Sequence, residues 1–213
     1  ALGAEGTVLA DPSLISRLSP WQVDFRQLEP GRMETRVRMR QGGMLGLLEI
    51  RMDRGVHQFG LAPSGTMAVG IPLTDGLTRW HGKHVPNGGL LSFGTSEGFE
   101  GISSSAFHGL TLTASHEAVH GLCTRLGLPV PRTWEVSGVL GVDPKTASLR
   151  ATARQALRLL DGTTPIARQD EEDILANLLK LSLSGKETED RSSARTRARA
   201  VRVALDLMEE GAE

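Results

Sequence analysis

The chain has 213 residues, of which 39% are hydrophobic and 23% are charged, and its formal net charge is −1. This length and apolar fraction are sufficient for one or two domains with a hydrophobic core. A net charge near zero gives the chain as a whole no electrostatic reason to bind nucleic acid or an acidic membrane surface.

The single cysteine, Cys123, excludes an intrachain disulfide bond and favours a reducing compartment. The N-terminal residues lack the basic and apolar regions of a signal peptide. No apolar run approaches the roughly 20 residues that span a bilayer. We therefore expect a soluble protein of the cytoplasm.

Residues 1–20 are predicted to form an irregular lead-in, and residues 21–113 a β domain. Apolar and polar side chains alternate in 33–40 (METRVRMR) and in 108–113 (HGLTLT), which is the period of a strand with one buried and one solvated face. The stretch 45–48 (LGLL) is apolar on both faces, which predicts a central strand covered on both sides. Glycine-containing turns separate many such short segments, with no helical pattern between them, which favours an antiparallel sandwich or barrel.

The hydrophobic period changes to that of helices in the segment 114–190. Ser115–Leu126 has an apolar stripe at helical spacing, and two further helices are predicted at about 144–160 and 169–183. A last predicted helix, Ser193–Glu210, is rich in arginine at its start. A β half followed by a helical half predicts the α+β class.

The sharpest chemical motif is H-E-x-x-H, formed by His116, Glu117 and His120 on the first predicted helix. In zinc peptidases two histidines one helical turn apart bind the metal, and the glutamate activates water. An extended form of the motif has glycine and histidine where this chain has Cys123 and Leu126, so a third ligand is missing there. The apolar stripe of this helix also turns His120 away from the core. We therefore expect surface histidines, with a zinc-dependent hydrolase as the alternative.

A second pair of histidines, His81 and His84, lies in a predicted hairpin. Metal-dependent enzymes of the cupin type use histidines two apart on one strand face, whereas these are three apart across a turn and would not share a face. We expect two polar hairpin residues here, and a metal-dependent enzyme is a weaker alternative. Cys123 lies on the apolar stripe of its helix and is expected to be a small core residue. We thus expect no catalytic residue, no metal and no cofactor.

The chain also resembles a known family. Phe25–Leu73 opens with FRQLEPGRMETR, which matches the pattern F-x-Q-L-x-P-G-x-x-x-x-R at the start of the N-terminal sensing domain in one subgroup of the AraC/XylS-family transcription regulators. Thr78–Phe93 (TRWHGKHVPNGGLLSF) is similar to a turn and strand of that domain. The helices from Ser115 onward resemble the helical part that follows its cupin-like barrel. Ala194–Glu210 resembles the linker helix that precedes the DNA-binding half.

The resemblance implies an antiparallel cupin-like β-barrel or sandwich at 21–113 that senses a small-molecule effector. It implies a helical dimerisation region at 114–190 and a linker helix at 191–213, which leads towards a DNA-binding domain that the sequence does not include. The expected function is that of the regulatory domain of a homodimeric, cytoplasmic transcription regulator, with no catalytic activity and no contact with membranes. DNA would be bound only through the C-terminal helix-turn-helix domain of the family.

Candidate ligand contacts are the bulky side chains of the β region and one polar neighbour. They are Met33, His57, Phe59, Trp80 and Phe107. An inward-facing aromatic residue of a small barrel can equally belong to the core, so the alternative is that these side chains fill the interior. Candidate dimer contacts are leucines of the last two predicted helices. They are Leu175, Leu178, Leu179 and Leu205, and the alternative is that they only pack helix on barrel. No charged cluster at matched strand positions indicates a class of effector.

Overall fold

The computed structural model describes residues 6–86, 89–95, 97–141, 146–184 and 186–187. Two antiparallel sheets pack against each other, and helices cover the outer face of the larger sheet. The predicted α+β class is confirmed, and the sheets form an open sandwich rather than a closed barrel.

The strands are short, as the glycine-rich turns predict. They are β1 (Thr7–Leu9), β2 (Gln22–Gln27), β3 (Thr35–Gln41), β4 (Leu45–Met52), β5 (Val56–Leu61), β6 (Thr66–Pro72), β7 (Leu77–Trp80), β8 (Lys83–His84), β9 (Leu90–Phe93), β10 (Phe99–Ser103), β11 (Phe107–Ser115), β12 (Ser137–Gly141) and β13 (Lys186–Glu187). The α-helices are α1 (Ile15–Leu18), α2 (His116–Leu126), α3 (Thr146–Asp161) and α4 (Arg168–Ser184).

Within the described residues, the larger sheet has eight strands in the order β1-β3-β4-β11-β6-β9-β12-β13. The smaller sheet, counted in the same way over the described residues, has five strands in the order β2-β5-β10-β7-β8. Strand β11 lies in the middle of the larger sheet, where Leu112 pairs with Leu47 of β4 on one side and with Val69 of β6 on the other. These three side chains belong to the core that the helices cover.

Strand β4 shows how the molecule comes to have two hydrophobic cores. Successive side chains of a strand point to opposite faces. Leu45 and Leu47 therefore pack under the helices, in what we name the outer core, while Leu48 and Met52 pack between the two sheets, in the inner core. The predicted central strand at 45–48, covered on both faces, is confirmed.

The three longer helices form close to where their periodicity predicts them. The Ser115 hydroxyl caps α2 by accepting a hydrogen bond from the Ala118 amide, and Gly127 ends the helix with a φ of +64°. Helix α4 begins with Asp170 and Glu171 in its first turn, where acidic groups suit the positive end of the helix dipole.

The N-terminal segment differs from the expected irregular lead-in. Strand β1 extends the larger sheet by pairing with β3, and Ile15 of α1 is fully buried in the inner core. The Ser16 hydroxyl fixes this segment because it bonds both the amide and the carbonyl of Val23. Elements of three or four residues are too short to show a hydrophobic period, which explains why the sequence did not reveal them.

The larger sheet also takes a strand from the segment predicted to be helical. β12 pairs with β9, with Val139 opposite Leu91. The predicted linker helix at 191–213, with Leu205, lies outside the described residues. Among the helices that are described, none is long and apolar enough to cross a membrane.

Candidate ligand-binding site

An aromatic cluster joins the two sheets in the inner core. Trp80 stacks on Phe99 with ring centroids 5.3 Å apart, and both belong to the smaller sheet. Phe93 of the larger sheet meets Trp80 edge-on at 4.9 Å and Trp21 at 5.0 Å. The Trp80 indole N–H donates to the Ser92 carbonyl at 3.0 Å, so the buried ring has no unsatisfied polar group. These rings fix the separation and angle of the sheets.

A cavity of about 40 Å³, here named the inner cavity, lies beside this cluster. Its wall is aromatic and aliphatic, and its polar side chains are Gln58 and Thr111. Within the described part of the chain, no charged side chain lines it. Since a water molecule needs at least about 10–15 Å³ of such space, the inner cavity is large enough for a few waters and too small for a metabolite as it stands.

A second space, here named the outer groove, lies between α3 and the ends of β6 and β7. Its volume is about 460 Å³, which is the size of a typical small-molecule pocket. Ile71, Pro72 and Leu77 line both the inner cavity and the outer groove, so the two spaces adjoin. Arg150 and Arg154 of α3 lie at the exposed side of the groove.

The structure divides the predicted ligand contacts between the inner core and the opposite face of the smaller sheet. Met33, Trp80 and Phe107 are buried in the inner core, and the last two line the inner cavity. His57 and Phe59 are half-buried on the opposite face of β5, where the His57 ring lies 2.7 Å from a Glu100 carboxylate oxygen. The predicted set is therefore not brought together in one site.

Sequence reasoning missed Gln58, the residue of β5 that does face the inner cavity. The strand reads VHQFGL, with apolar residues at 56, 59 and 61. Apolar residues therefore occur at both even and odd positions, and the pattern does not show which face of the strand is buried. Val56 is fully buried, which places Gln58 on the inward face with it. Gly101 of the neighbouring strand leaves room for this side chain, because a Cβ there would lie 3.1 Å from the Gln58 amide nitrogen.

The predicted dimer contacts lie inside the chain's own outer core. Leu175, Leu178 and Leu179 are at most 1% exposed and pack with α2, α3 and the larger sheet. Their side chains are already covered, so in this arrangement they form no surface for a second copy. In this structure the three leucines stabilise the outer core.

The two histidine motifs are positioned differently. In the H-E-x-x-H motif His120 is exposed and His116 half-buried at the start of α2. His81 has a φ of +49° in its turn, and its ring accepts a hydrogen bond from the Glu100 amide at 3.3 Å. Burial lowers the pKa of His81, which agrees with a neutral ring that accepts. No three His, Cys, Asp or Glu side chains are grouped to hold a metal ion anywhere in the described ranges.

A cluster of charged and polar side chains around the buried Glu49 ties α3 to the larger sheet. Glu49 of β4 is 2% exposed and accepts hydrogen bonds from Arg38, Arg51 and His108. Burial would raise the pKa of Glu49, but these donors outweigh it and lower the pKa to about 2. Arg38 also pairs with Asp161 at the end of α3. Next to it on the same face, Arg40 donates to the carbonyl of Leu159 near the helix C-terminus, where a cation is favourable.

Helix α4 is anchored at both ends. The Glu171 carboxylate accepts hydrogen bonds from the amides of Met44 and Leu45, each at 3.0 Å, in the turn before β4. At the other end the Trp134 indole N–H donates to the buried Ser182 hydroxyl at 2.7 Å. The position of α4 is thus set by specific polar bonds as well as by its leucines.

Replacing Glu171 by alanine is expected to lower the free energy of unfolding by about 2 kcal/mol, because two backbone amides, one of them buried, lose their acceptor. Urea denaturation measures this change. Glu172→Ala is the matched control. Its side chain makes ion pairs with Arg125 and Arg168 near the surface, so its removal is expected to cost about 0.5 kcal/mol. Equal losses in the two variants would contradict the anchoring role of Glu171.

The fold is similar to that of a known transcription regulator. The crystal structure of the AraC-like transcriptional activator CuxR matches with a TM-score of 0.58 and 11% sequence identity, over 94% of this chain and 79% of that one. No protein-family model matches the sequence, and no curated protein matches it either. At this identity the likeness is one of fold. The resemblance to an AraC-type regulatory domain that the β region carries is therefore confirmed at the level of the fold.

Proposed function

We propose that the chain is the effector-sensing domain of an AraC-type transcription regulator. The observation that carries the proposal is the likeness of fold to an AraC-like transcriptional activator over nearly the whole chain. The adjoining inner cavity and outer groove supply a place for a small-molecule effector between the sandwich and α3. The role needs no catalytic group and no cofactor. A regulator of this kind acts in the cytoplasm, as a homodimer, through a separate helix-turn-helix domain.

The proposed relay runs from the outer groove through α3. Leu149 and Leu157 of α3 face Leu77 of the smaller sheet across the groove, so an effector there touches the helix and the sandwich together. The far end of α3 is held to β3 by Arg38 and Arg40. An effector shifts the position of α3 only if it binds one arrangement of the helix more tightly than another. Helix α4, packed on α3, would pass the shift towards the C-terminal segment.

A thermal-shift screen against a metabolite library tests the sensing role, with zinc and a chelator among the conditions. A compound that binds only the native state stabilises it, by about 2.7 kcal/mol at a hundred times its Kd. We expect a saturable rise in Tm for one chemical class. A rise with zinc and a fall with chelator would instead support the zinc hydrolase based on His116, Glu117 and His120, and would overturn the proposal.

Hydrogen exchange of the backbone amides, measured with the stabilising compound, tests where it binds. Protection is expected in α3 and in 71–77, the segments that line the outer groove. Helix α2, none of whose residues lines the outer groove or the inner cavity, serves as the internal control and is expected to exchange at an unchanged rate. Protection confined to other segments would contradict the proposed site.

A further inference from the structure

Gln58 is a buried polar side chain in the wall of the inner cavity. It is 7% exposed, and it lines the inner cavity among aromatic and aliphatic residues. No side-chain hydrogen bond joins its amide to any other residue that the structure describes. A side-chain amide can both donate and accept hydrogen bonds, so Gln58 is suited to a hydrogen bond with a molecule inside the cavity.

From this amide and the wall around it, we propose the class of effector that the inner cavity binds. It is a neutral, largely apolar molecule about the size of one substituted aromatic ring, with a single polar group held by Gln58. The inference rests on the proposed sensing function and deepens it.

The wall chemistry excludes other classes of molecule. Since none of the described residues of the wall is charged, a carboxylate, phosphate or ammonium group would lose its hydration without a counter-charge. A sugar would bring more hydroxyl groups than Gln58 and Thr111 can satisfy. A ring, in contrast, can add to the edge-to-face contacts that Trp21, Trp80 and Phe93 already make.

The cavity can be enlarged to hold such a ring by a movement of side chains at the edge of the smaller sheet. An apolar cavity that binds benzene has a volume of about 150 Å³, so the present 40 Å³ must grow. Phe25 and Val23 line the cavity, are only half-buried, and belong to β2, which among the described strands lies at the edge of the smaller sheet and pairs with β5. The Phe25 ring has the size of the guest. Its outward rotation would open the cavity without disturbing the strands at the centre of the sheet.

Three probes that share one ring test the proposal: benzyl alcohol, benzoate and benzylammonium. Trp21 and Trp80 line the cavity, so the binding of each probe is followed by tryptophan fluorescence and confirmed by thermal shift. We expect saturable binding of benzyl alcohol and at least tenfold weaker binding of both charged probes. Equal or tighter binding of benzoate, which the arginines of the outer groove could favour, would overturn the proposal.

Two variants test the role of the amide. Gln58→Leu removes the hydrogen bond and is expected to weaken benzyl alcohol about five- to tenfold, while toluene, which needs no partner, binds at least as tightly as before. The toluene measurement also shows that the variant is folded with its cavity intact. Gln22→Leu, the same change at an exposed position of β2, is expected to alter neither affinity. Unchanged binding of benzyl alcohol in Gln58→Leu would overturn the assigned contact.

The library screen separates this inference from the proposed function. If a charged or sugar-like compound stabilises the protein and the neutral probes do not, sensing stands and the effector class is wrong. If neither the probes nor any library compound binds, both proposals fail.

Discussion

Replacing Glu49 by glutamine is expected to lower the free energy of unfolding by about 3 kcal/mol, because it removes the buried negative charge that the partly buried Arg38 binds. The substitution keeps the size of the side chain, so the loss reports charge rather than packing. This carboxylate accepts hydrogen bonds from Arg38, Arg51 and His108. Arg38 also forms an ion pair with Asp161 of α3. Urea denaturation measures the change. Glu34→Gln, at an exposed pair with Arg36, is the control and is expected to cost about 0.5 kcal/mol or less.

The lowered pKa of Glu49 predicts that the free energy of unfolding depends on pH. The pKa of Glu49 is about 2 in the folded protein, below its ordinary value of 4.5. A carboxyl group whose pKa falls on folding stabilises the native state above its unfolded pKa, and this contribution is lost as the pH falls through the folded pKa. Acidification from pH 4.5 to 2 should remove about 3 kcal/mol from this group. The difference between the parent protein and Glu49→Gln should therefore shrink over this range, and a constant difference would contradict the assignment.

Replacing Trp80 by alanine is expected to cost about 4 kcal/mol, the usual loss for a large aromatic side chain in a well-packed core. The ring is 1% exposed, touches aromatic rings from both sheets and binds Ser92. It also lies over Gly101, where a Cβ would come within 2.8 Å of the indole. Urea denaturation gives the loss, and near-ultraviolet circular dichroism shows whether the aromatic cluster persists.

The control for this prediction is Trp80→Phe, which keeps a ring in place and should cost clearly less than alanine. The alanine variant also leaves an apolar hole next to the inner cavity. Added benzene or indole should restore part of the lost Tm, since an apolar cavity of sufficient volume binds such molecules. A loss below about 1 kcal/mol for the alanine variant would mean that the sheets are not held together by this cluster.

Local patterns in the sequence predicted the elements better than their arrangement. Ser115 and Gly127 bound α2 because capping and helix termination depend on neighbouring residues. The apolar stretch at Leu45–Leu48 predicted a central strand because a strand covered on both faces needs apolar residues at consecutive positions. The arginines of 33–40 were expected to face solvent, yet Arg38 and Arg40 lie under α3. Their partner residues are more than a hundred positions away, and alternation in a strand cannot indicate them.

The candidate site was predicted only in part. Trp80 and Phe107 were selected for their size and do line the inner cavity, because large aromatic side chains are the ones that fill a sandwich. His57 and Phe59 lie on the face of β5 opposite to Gln58, and the apolar residues of that strand do not indicate which face is buried. The outer groove depends on how α3 lies against the sheets, which is a tertiary property. A role of Leu205 in dimerisation stays a prediction.

The central position of β11 has a consequence for how the chain is made. The larger sheet cannot close until Leu45–Met52 meets Phe107–Ser115, which are separated by more than fifty residues of intervening chain. Closing so long a loop costs entropy before any contact repays it, so folding should be slow for a protein of this size. Until β11 has been synthesised, one edge of β4 has no partner strand. We therefore expect aggregation through that open edge to compete with folding of the nascent chain.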